Sequence, residues 1–266
     1  LLLSLSANSV LAQTTYTSAA GNCSDNLWSN PNCWTGGTGF PNDPNHEAVI
    51  DNGNQIRFSK GSNSLTATVG KLTIKNGRLS QGAFGSGVSE LTVDDSGLFD
   101  GSITLNSSGS LGASNFGTPL FNISLDGDLV NDGDFRMQSG NGVPTVTFSS
   151  GGTQEIRGTP AKTELGLLDI GGSTVTVSSD IDLGGGITGS GTLNASSSTI
   201  SFRGGFGPPL ITVGGSATLN LGDITVNSAN GVQLDRSLTV GGTLTLTEGD
   251  LDIQGNDLFL NGNLTQ

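Results

Sequence analysis

Apolar and polar residues alternate over short stretches between Gly70 and Gln266, and turns rich in Gly, Asn, Asp and Ser separate these stretches. Clear copies are Leu72-Thr-Ile74, Leu91-Thr-Val93, Ile123-Ser-Leu125 and Leu238-Thr-Val240. A period of two residues is typical of strands that bury one face. Each unit buries only a narrow apolar stripe, so the pattern predicts an all-β solenoid in which stacked units share one core.

The spacing of the strand clusters sets the expected size of the solenoid. Units of roughly 20 to 25 residues would give about nine to eleven coils and a rod about 45 to 50 Å long at ~4.8 Å per coil. We assign the repeats to residues 49–266. Because the strand-and-turn pattern continues to Gln266, we expect the natural protein to extend beyond this residue.

Residues 13–48 differ in composition from the repeats and contain Trp28, Trp34, Cys23 and Cys33. The first coil of a solenoid needs a cover against water and edge-to-edge association, so we interpret this segment as an N-terminal cap. Exposed indole rings that stack on sugars are the alternative for the two tryptophans. The even cysteine count favours one disulfide, with free thiols or a metal site as alternatives.

The first twelve residues and the charge indicate where the protein works. Residues 1–12 form an apolar run that ends in small residues, typical of the end of a signal peptide, and predict a mature chain starting near Gln13. No stretch is long and apolar enough to span a bilayer. The formal net charge of −13 makes nucleic acid and anionic membranes poor partners.

Two portions of the chain resemble a known class of protein. The segment from Leu27-Trp28 through Cys33-Trp34 to Ala48-Val-Ile50 looks like the opening of many secreted bacterial solenoid proteins. The segment 238–264 is similar to repeats in large surface proteins of Bacteroidota and in autotransporter passengers. This resemblance implies a right-handed parallel β-helix, export from the cell and a role in adhesion or surface coating, and it implies no catalytic residues.

The densest acidic cluster contains Asp126, Asp128, Asp132 and Asp134. It reads Asp126-Gly-Asp128, followed by Asn131-Asp-Gly-Asp134. Carboxylate oxygens are the ligands that Ca²⁺ prefers, so these four residues are a candidate calcium site, although the spacing is not that of an EF-hand. Polar turns between strands explain the cluster equally well. We expect no other cofactor.

Catalysis and ice binding are the rival functions. Asp180 and Asp182 have the spacing for a hydrolytic pair of carboxylates, but we predict no enzyme, since basic residues are scarce and His46 is the only imidazole. Threonine pairs suggest an ice-binding face, although their spacing along the chain is irregular. These pairs are Thr66/Thr68, Thr145/Thr147, Thr174/Thr176 and the run Thr243 to Thr247.

Together these patterns predict a secreted or cell-surface structural and adhesive solenoid that makes weak multivalent contacts. Its expected partner is a cell-surface or extracellular polysaccharide or protein. A polysaccharide-binding or polysaccharide-degrading β-helix is the main alternative, and an ice-binding solenoid is the second. The sequence leaves the oligomeric state open.

Overall fold

The computed structural model describes residues 12–19, 23, 25–59, 63–81, 87–112, 120–137, 142–159, 163–204 and 211–266. Within these ranges every regular element is a strand, apart from one turn of 3-10 helix at Pro31–Cys33. The fold is therefore all-β, as the alternating pattern predicts. Most of the expected signal peptide, residues 1–11, lies outside the described residues.

The strands are numbered in chain order. The first eight are β1 Thr14–Ser18, β2 Trp34–Thr35, β3 Asp43–Ile50, β4 Asn54–Arg57, β5 Thr66–Ser80, β6 Val88–Val93, β7 Ile103–Gly112 and β8 Leu120–Leu125. The next eight are β9 Leu129–Asn131, β10 Asp134–Arg136, β11 Thr145–Phe148, β12 Thr153–Arg157, β13 Thr163–Asp169, β14 Thr174–Val177, β15 Ile181–Thr188 and β16 Thr192–Arg203. The last eight are β17 Ile211–Val213, β18 Thr218–Asn227, β19 Val232–Leu234, β20 Leu238–Val240, β21 Leu244–Glu248, β22 Leu251–Asp252, β23 Leu258–Leu260 and β24 Leu264–Thr265.

Nearly all of these strands pair in parallel, in three separate ladders. The first ladder runs through β1, β3, β5, β7, β9, β12, β14, β16, β18, β20 and β23. The second runs through β4, β5, β7, β10, β13, β15, β16, β18, β21 and β24. The third runs through β5, β6, β8, β11, β13, β15, β17, β19 and β22. Among the described strands, β1 and β2 form the one antiparallel pair.

The chain visits the three ladders in a constant order. Strand β5 shows this by itself, because residues 66–69 join the third ladder, 72–74 the first and 77–80 the second. We call one such circuit a level. Residues paired between adjacent levels are 18 positions apart at Thr163 and Ile181 and 32 apart at Leu79 and Leu111. The levels are thus less uniform in length than the expected 20 to 25 residues.

The core lies between the ladders and is built from columns of paired side chains. The column of the second ladder contains Ile56, Leu79, Leu111, Phe135, Thr163, Ile181, Ile200, Ile224, Leu244 and Leu264. All of these side chains are buried except Leu264, which is 60% exposed. Thr163 is the polar member, and its hydroxyl accepts a 2.7 Å hydrogen bond from the buried amide of Asn131. Burial of every second residue confirms the period-two interpretation.

A bend between the second and third ladders depends on a glycine. In β15 the register shifts between Leu183 and Gly186, and Gly186 has a φ of +108°. A Cβ atom at this position would lie 1.9 Å from the carbonyl oxygen of Thr212 in the next level. Both the left-handed backbone and the close approach of the neighbouring level require glycine here.

Aromatic side chains occupy the N-terminal end of the core. Trp28 is fully buried, Trp34 is 5% exposed, and their rings meet edge to face with centroids 5.0 Å apart. The indole N–H groups are both satisfied, with Trp28 donating to the Pro41 carbonyl and Trp34 donating to the Trp28 carbonyl. Phe58 continues the stack from Trp28, with ring centroids 5.2 Å apart.

The predicted disulfide is present between Cys23 and Cys33. It fastens the segment that carries the two tryptophans, and its bonded sulfurs are not available as thiolate ligands for a metal. The described residues include no helix of the length and apolarity needed to cross a membrane.

Candidate functional site

The outer face of the first ladder carries two rows of aligned polar side chains. In the row that we call the Thr row, the parallel register places Thr153, Thr174, Thr192 and Thr218 next to one another. A second row, the mixed row, lies two residues further along each strand and contains Glu155, Thr176, Asn194 and Asn220. The residues between the rows, such as Gln154, Val175 and Leu193, are turned inwards and buried.

Backbone hydrogen bonds between levels hold the Thr row in register. The N–H of Thr174 donates to Gly152, that of Thr192 to Ser173, and that of Thr218 to Gly191, each at 2.8 Å. Along the chain these threonines are 21, 18 and 26 positions apart, counted from Thr153. The alignment therefore comes from the pairing of strands, while loops of different length absorb the irregular spacing.

The mixed row also bonds to itself. The side-chain amide of Asn220 donates to the amide oxygen of Asn194 at 2.6 Å, which orients both amides along the stack. Each amide keeps further donor or acceptor capacity, since a carboxamide has two donors and an oxygen with two lone pairs.

At the lower levels, which are those nearer the N-terminus and contain β5, β7, β9 and β12, the same face forms a polar groove that encloses about 360 Å³. Its charged groups come from Lys71, Asp95, Asp100, Asp126, Asp128 and Arg157. Thr153 lines the groove and also begins the Thr row, so the groove and the two rows form one continuous surface. We call this surface the first-ladder face.

The cations of the groove are paired with carboxylates. Lys71 Nζ lies 3.2 Å from Asp100, and Arg157 lies 3.8 Å from Asp128 and 3.1 Å from Glu155. Burial acts to raise the pKa of Asp100, but hydrogen bonds from Ser102 and Lys71 together hold that pKa below its ordinary value. Asp100 is consequently ionised at neutral pH, and the positive charges of Lys71 and Arg157 lie beside carboxylates.

The four residues proposed for calcium are not brought together. Asp126 and Asp128 line the groove, whereas Asp132 accepts hydrogen bonds from Thr159 and Asp134 lies 2.6 Å from Arg136. The hydrogen bonds from Thr159 lower the pKa of Asp132. These contacts tie Asp132 and Asp134 to turns and strands of the protein itself.

The structure instead places Asp126 beside the pair Asp94 and Asp95, with one oxygen of each carboxylate within 4.8 Å of the others. The reason is the register of the third ladder, which pairs Val93 with Leu125 and so sets Asp94 next to Asp126. The recurrence of an aspartate directly after a strand of this ladder is the sequence signal for this juxtaposition. Binding of calcium remains a prediction.

The carboxylates considered for hydrolysis have structural partners. Asp180 accepts a 2.8 Å hydrogen bond from the N–H of Thr199 in the next level. Asp182 lies 2.6 Å from Arg203, which is also 3.9 Å from the buried carboxylate of Glu164. The hydrogen bond to Asp182 raises the pKa of Arg203.

The remaining candidates also have definite positions. Burial of Trp28 and Trp34 leaves neither indole ring free to stack on a sugar. The threonine pairs identified in the sequence are distributed over three ladders. Thr66/Thr68 and Thr145/Thr147 lie on the third, Thr174/Thr176 on the first and Thr245/Thr247 on the second. The alignment of the Thr row on the first ladder was not evident from the sequence.

A comparison of the chain with protein-family models, curated proteins and solved structures finds no match in any of the three.

Proposed function

We propose that this chain is a right-handed parallel β-helix that serves as a secreted or cell-surface structural and adhesive element without enzymatic activity. Three parallel ladders visited in a constant order support the winding, and parallel strands joined by crossovers are almost always connected with a right hand. A buried aliphatic core continuous through the levels supports a stiff body.

The observation that carries the adhesive role is the repetition of outward side chains in register. A threonine recurs at four successive levels of the first-ladder face, in β12, β14, β16 and β18, at the strand spacing of ~4.8 Å. Single hydrogen bonds exposed to water contribute little, but many identical contacts made at once add up to strong attachment.

Four further features support the proposed location and adhesive role. The leader-like residues 1–12 are typical of a secreted protein, and the Cys23–Cys33 disulfide is compatible with an oxidising compartment. The resemblance to bacterial surface proteins favours adhesion over catalysis. The net charge of −13 favours neutral surfaces over nucleic acid or anionic lipid.

Retention of protein-coated beads under flow tests this function. Residues 13–266 would be attached to beads through a C-terminal tag at several densities, and the beads passed over glass coated with polysaccharide or with gelatin. We expect retention on at least one coating to rise more steeply than in proportion to density, while the free protein binds the same coating weakly. Absence of retention at the highest density, or tight binding by the free monomer, would contradict the proposal.

A further inference from the structure

We infer that the first-ladder face binds an extended, uncharged polysaccharide laid along the stack of levels. This inference rests on the proposed adhesive function and names the surface and the ligand class. The face joins the groove at the lower levels to the Thr row and the mixed row above it, through Thr153.

The side chains of the upper part match the chemistry of sugar hydroxyls. Threonine hydroxyls and asparagine amides each both donate and accept hydrogen bonds, as the hydroxyl groups of a polysaccharide do. Thr174, Thr192 and Asn194 are partly exposed, and Thr218 and Asn220 are exposed. Every level from β14 to β18 thus offers a hydroxyl and a second neutral polar group to the outside.

The charges of the face select against anionic polymers. Above Glu155 the two rows contain only threonine and asparagine. In the groove, Lys71 and Arg157 are each paired with carboxylates, so their charge is already compensated. An anionic polysaccharide would meet Asp126, Asp128 and Glu155 together with the overall charge of −13.

The repeat of the face suits a linear polymer. Successive levels are ~4.8 Å apart and the two rows are separated by two residues of strand, about 6.7 Å. A polymer with regularly repeated hydroxyls can engage one level after another without bending. A face that binds ice requires equivalent groups at every position of its rows. The mixed row does not provide them, because it contains Glu155, Thr176 and two mutually bonded amides.

Affinity electrophoresis with soluble polymers tests the inference. The protein of residues 13–266 would be run through gels that contain hydroxyethylcellulose, galactomannan or dextran, and through gels with carboxymethylcellulose, the anionic counterpart of the first polymer. We expect retardation by at least one neutral polymer, and weaker retardation by carboxymethylcellulose than by hydroxyethylcellulose.

The decisive variant is Thr174→Val combined with Thr192→Val, which removes two neighbouring hydroxyls and keeps the β-branched shape. The matched control is Thr225→Val with Thr245→Val, two paired outward threonines of the second ladder. Both variants should melt within a few degrees of the parent protein. We expect the first variant to bind the neutral polymer about tenfold more weakly, and the control to bind as the parent does.

Several results would overturn the inference. These are failure to bind any of the three neutral polymers, equal losses in the two variants, and stronger binding of carboxymethylcellulose. Inhibition of ice recrystallisation that disappears in the first variant, without polymer binding, would assign the face to ordered water instead. If beads adhere while both variants behave like the parent, only this inference fails. If beads coated with the parent protein adhere to no surface, the proposed function itself fails.

Discussion

At the scale of single residues, the side chain of His46 in β3 makes one hydrogen bond and one ring contact. Its Nδ1 accepts a 3.2 Å hydrogen bond from the N–H of Asn42, and its ring lies 4.8 Å from that of Tyr16. Burial lowers the pKa of His46 below its ordinary value, and the nearby charge of Asp43 opposes this shift only in part.

The pH dependence of His46 follows from the direction of this shift. Because the folded pKa lies below the value of 6.5 for an unperturbed imidazole, the contribution of His46 to stability is complete above about pH 6.5. It is lost as the pH falls through the folded pKa, since protonation of Nδ1 removes the acceptor for Asn42. His46 is the only histidine, so a single NMR titration measures its midpoint. A midpoint at or above 6.5 would contradict the prediction.

The disulfide gives a second prediction at this scale. Replacing both Cys23 and Cys33 by Ser should lower the free energy of unfolding by about 2 to 4 kcal/mol, because the unfolded chain loses the constraint of the ten-residue separation. Urea denaturation of the variant and of the parent protein measures the difference. The parent protein treated with a reducing agent is the control and should lose a similar amount. Equal stability of all three samples would show that the bond does not stabilise the fold.

At the scale of the element, each strand contributes one or two side chains to a column, and the column stabilises the stack. Phe135 shows the principle in β10, where it pairs with Leu111 below and with Thr163 above and is fully buried. Phe259 in β23 has the opposite orientation and is 55% exposed. It pairs with the outward Thr239, so alternation along the strand turns it to the outside.

These two phenylalanines form a matched test of the column. We expect Phe135→Ala to lower the free energy of unfolding by about 3 to 5 kcal/mol, because it removes a buried ring and leaves a cavity. Phe259→Ala should change it by no more than about 0.5 kcal/mol. Denaturant melts of both variants provide the comparison. Similar losses at the two positions would mean that the inward and outward assignments are incorrect.

At the scale of the whole molecule, the order in which the chain visits the ladders decides which distant residues become neighbours. Thr174 pairs with Thr192 in the adjacent level, and Thr192 pairs with Thr218 in the level beyond. The first and second of these threonines are therefore ~4.8 Å apart, and the first and third about 9.6 Å apart.

Paired cysteines test this winding directly. Thr174→Cys with Thr192→Cys should form a disulfide readily under mild oxidation, since neighbouring positions fall within the Cα separation that a disulfide spans. Thr174→Cys with Thr218→Cys should remain reduced, because two levels exceed that separation. The two natural cysteines are already bonded to each other and leave no competing thiol in the described residues. Bond formation in the second pair, or in neither, would contradict the assigned register.

Part of this structure could be predicted from the sequence because it depends on the local pattern of apolar and polar residues. The period-two alternation identified strands such as Leu91-Thr-Val93 and Ile123-Ser-Leu125, and the structure pairs these two strands in the third ladder. The disulfide was predicted correctly because two cysteines in a chain can form only one internal pair. In both cases the decisive information is local, since it lies within one short segment or in the number of cysteines.

Less of the candidate site could be predicted from the sequence. The calcium hypothesis grouped aspartates that are close along the chain, whereas the structure sets Asp126 beside Asp94 and Asp95, about thirty residues earlier. The Thr row went unnoticed because its members are unevenly spaced in the sequence. Which residues meet between levels depends on where each loop returns the chain to the ladder. Loops of different length can return it to the same register.

The sequence by itself determined that the chain forms short strands with one buried face, because inward and outward positions alternate within each strand. It also determined the acidic charge, and the even cysteine count favoured the disulfide that the structure contains. Only the tertiary structure decided which polar side chains lie together on the first-ladder face. The physical reason is that register is set by the collective packing of buried columns and by hydrogen bonds between levels, and neither is encoded in any one segment of the chain.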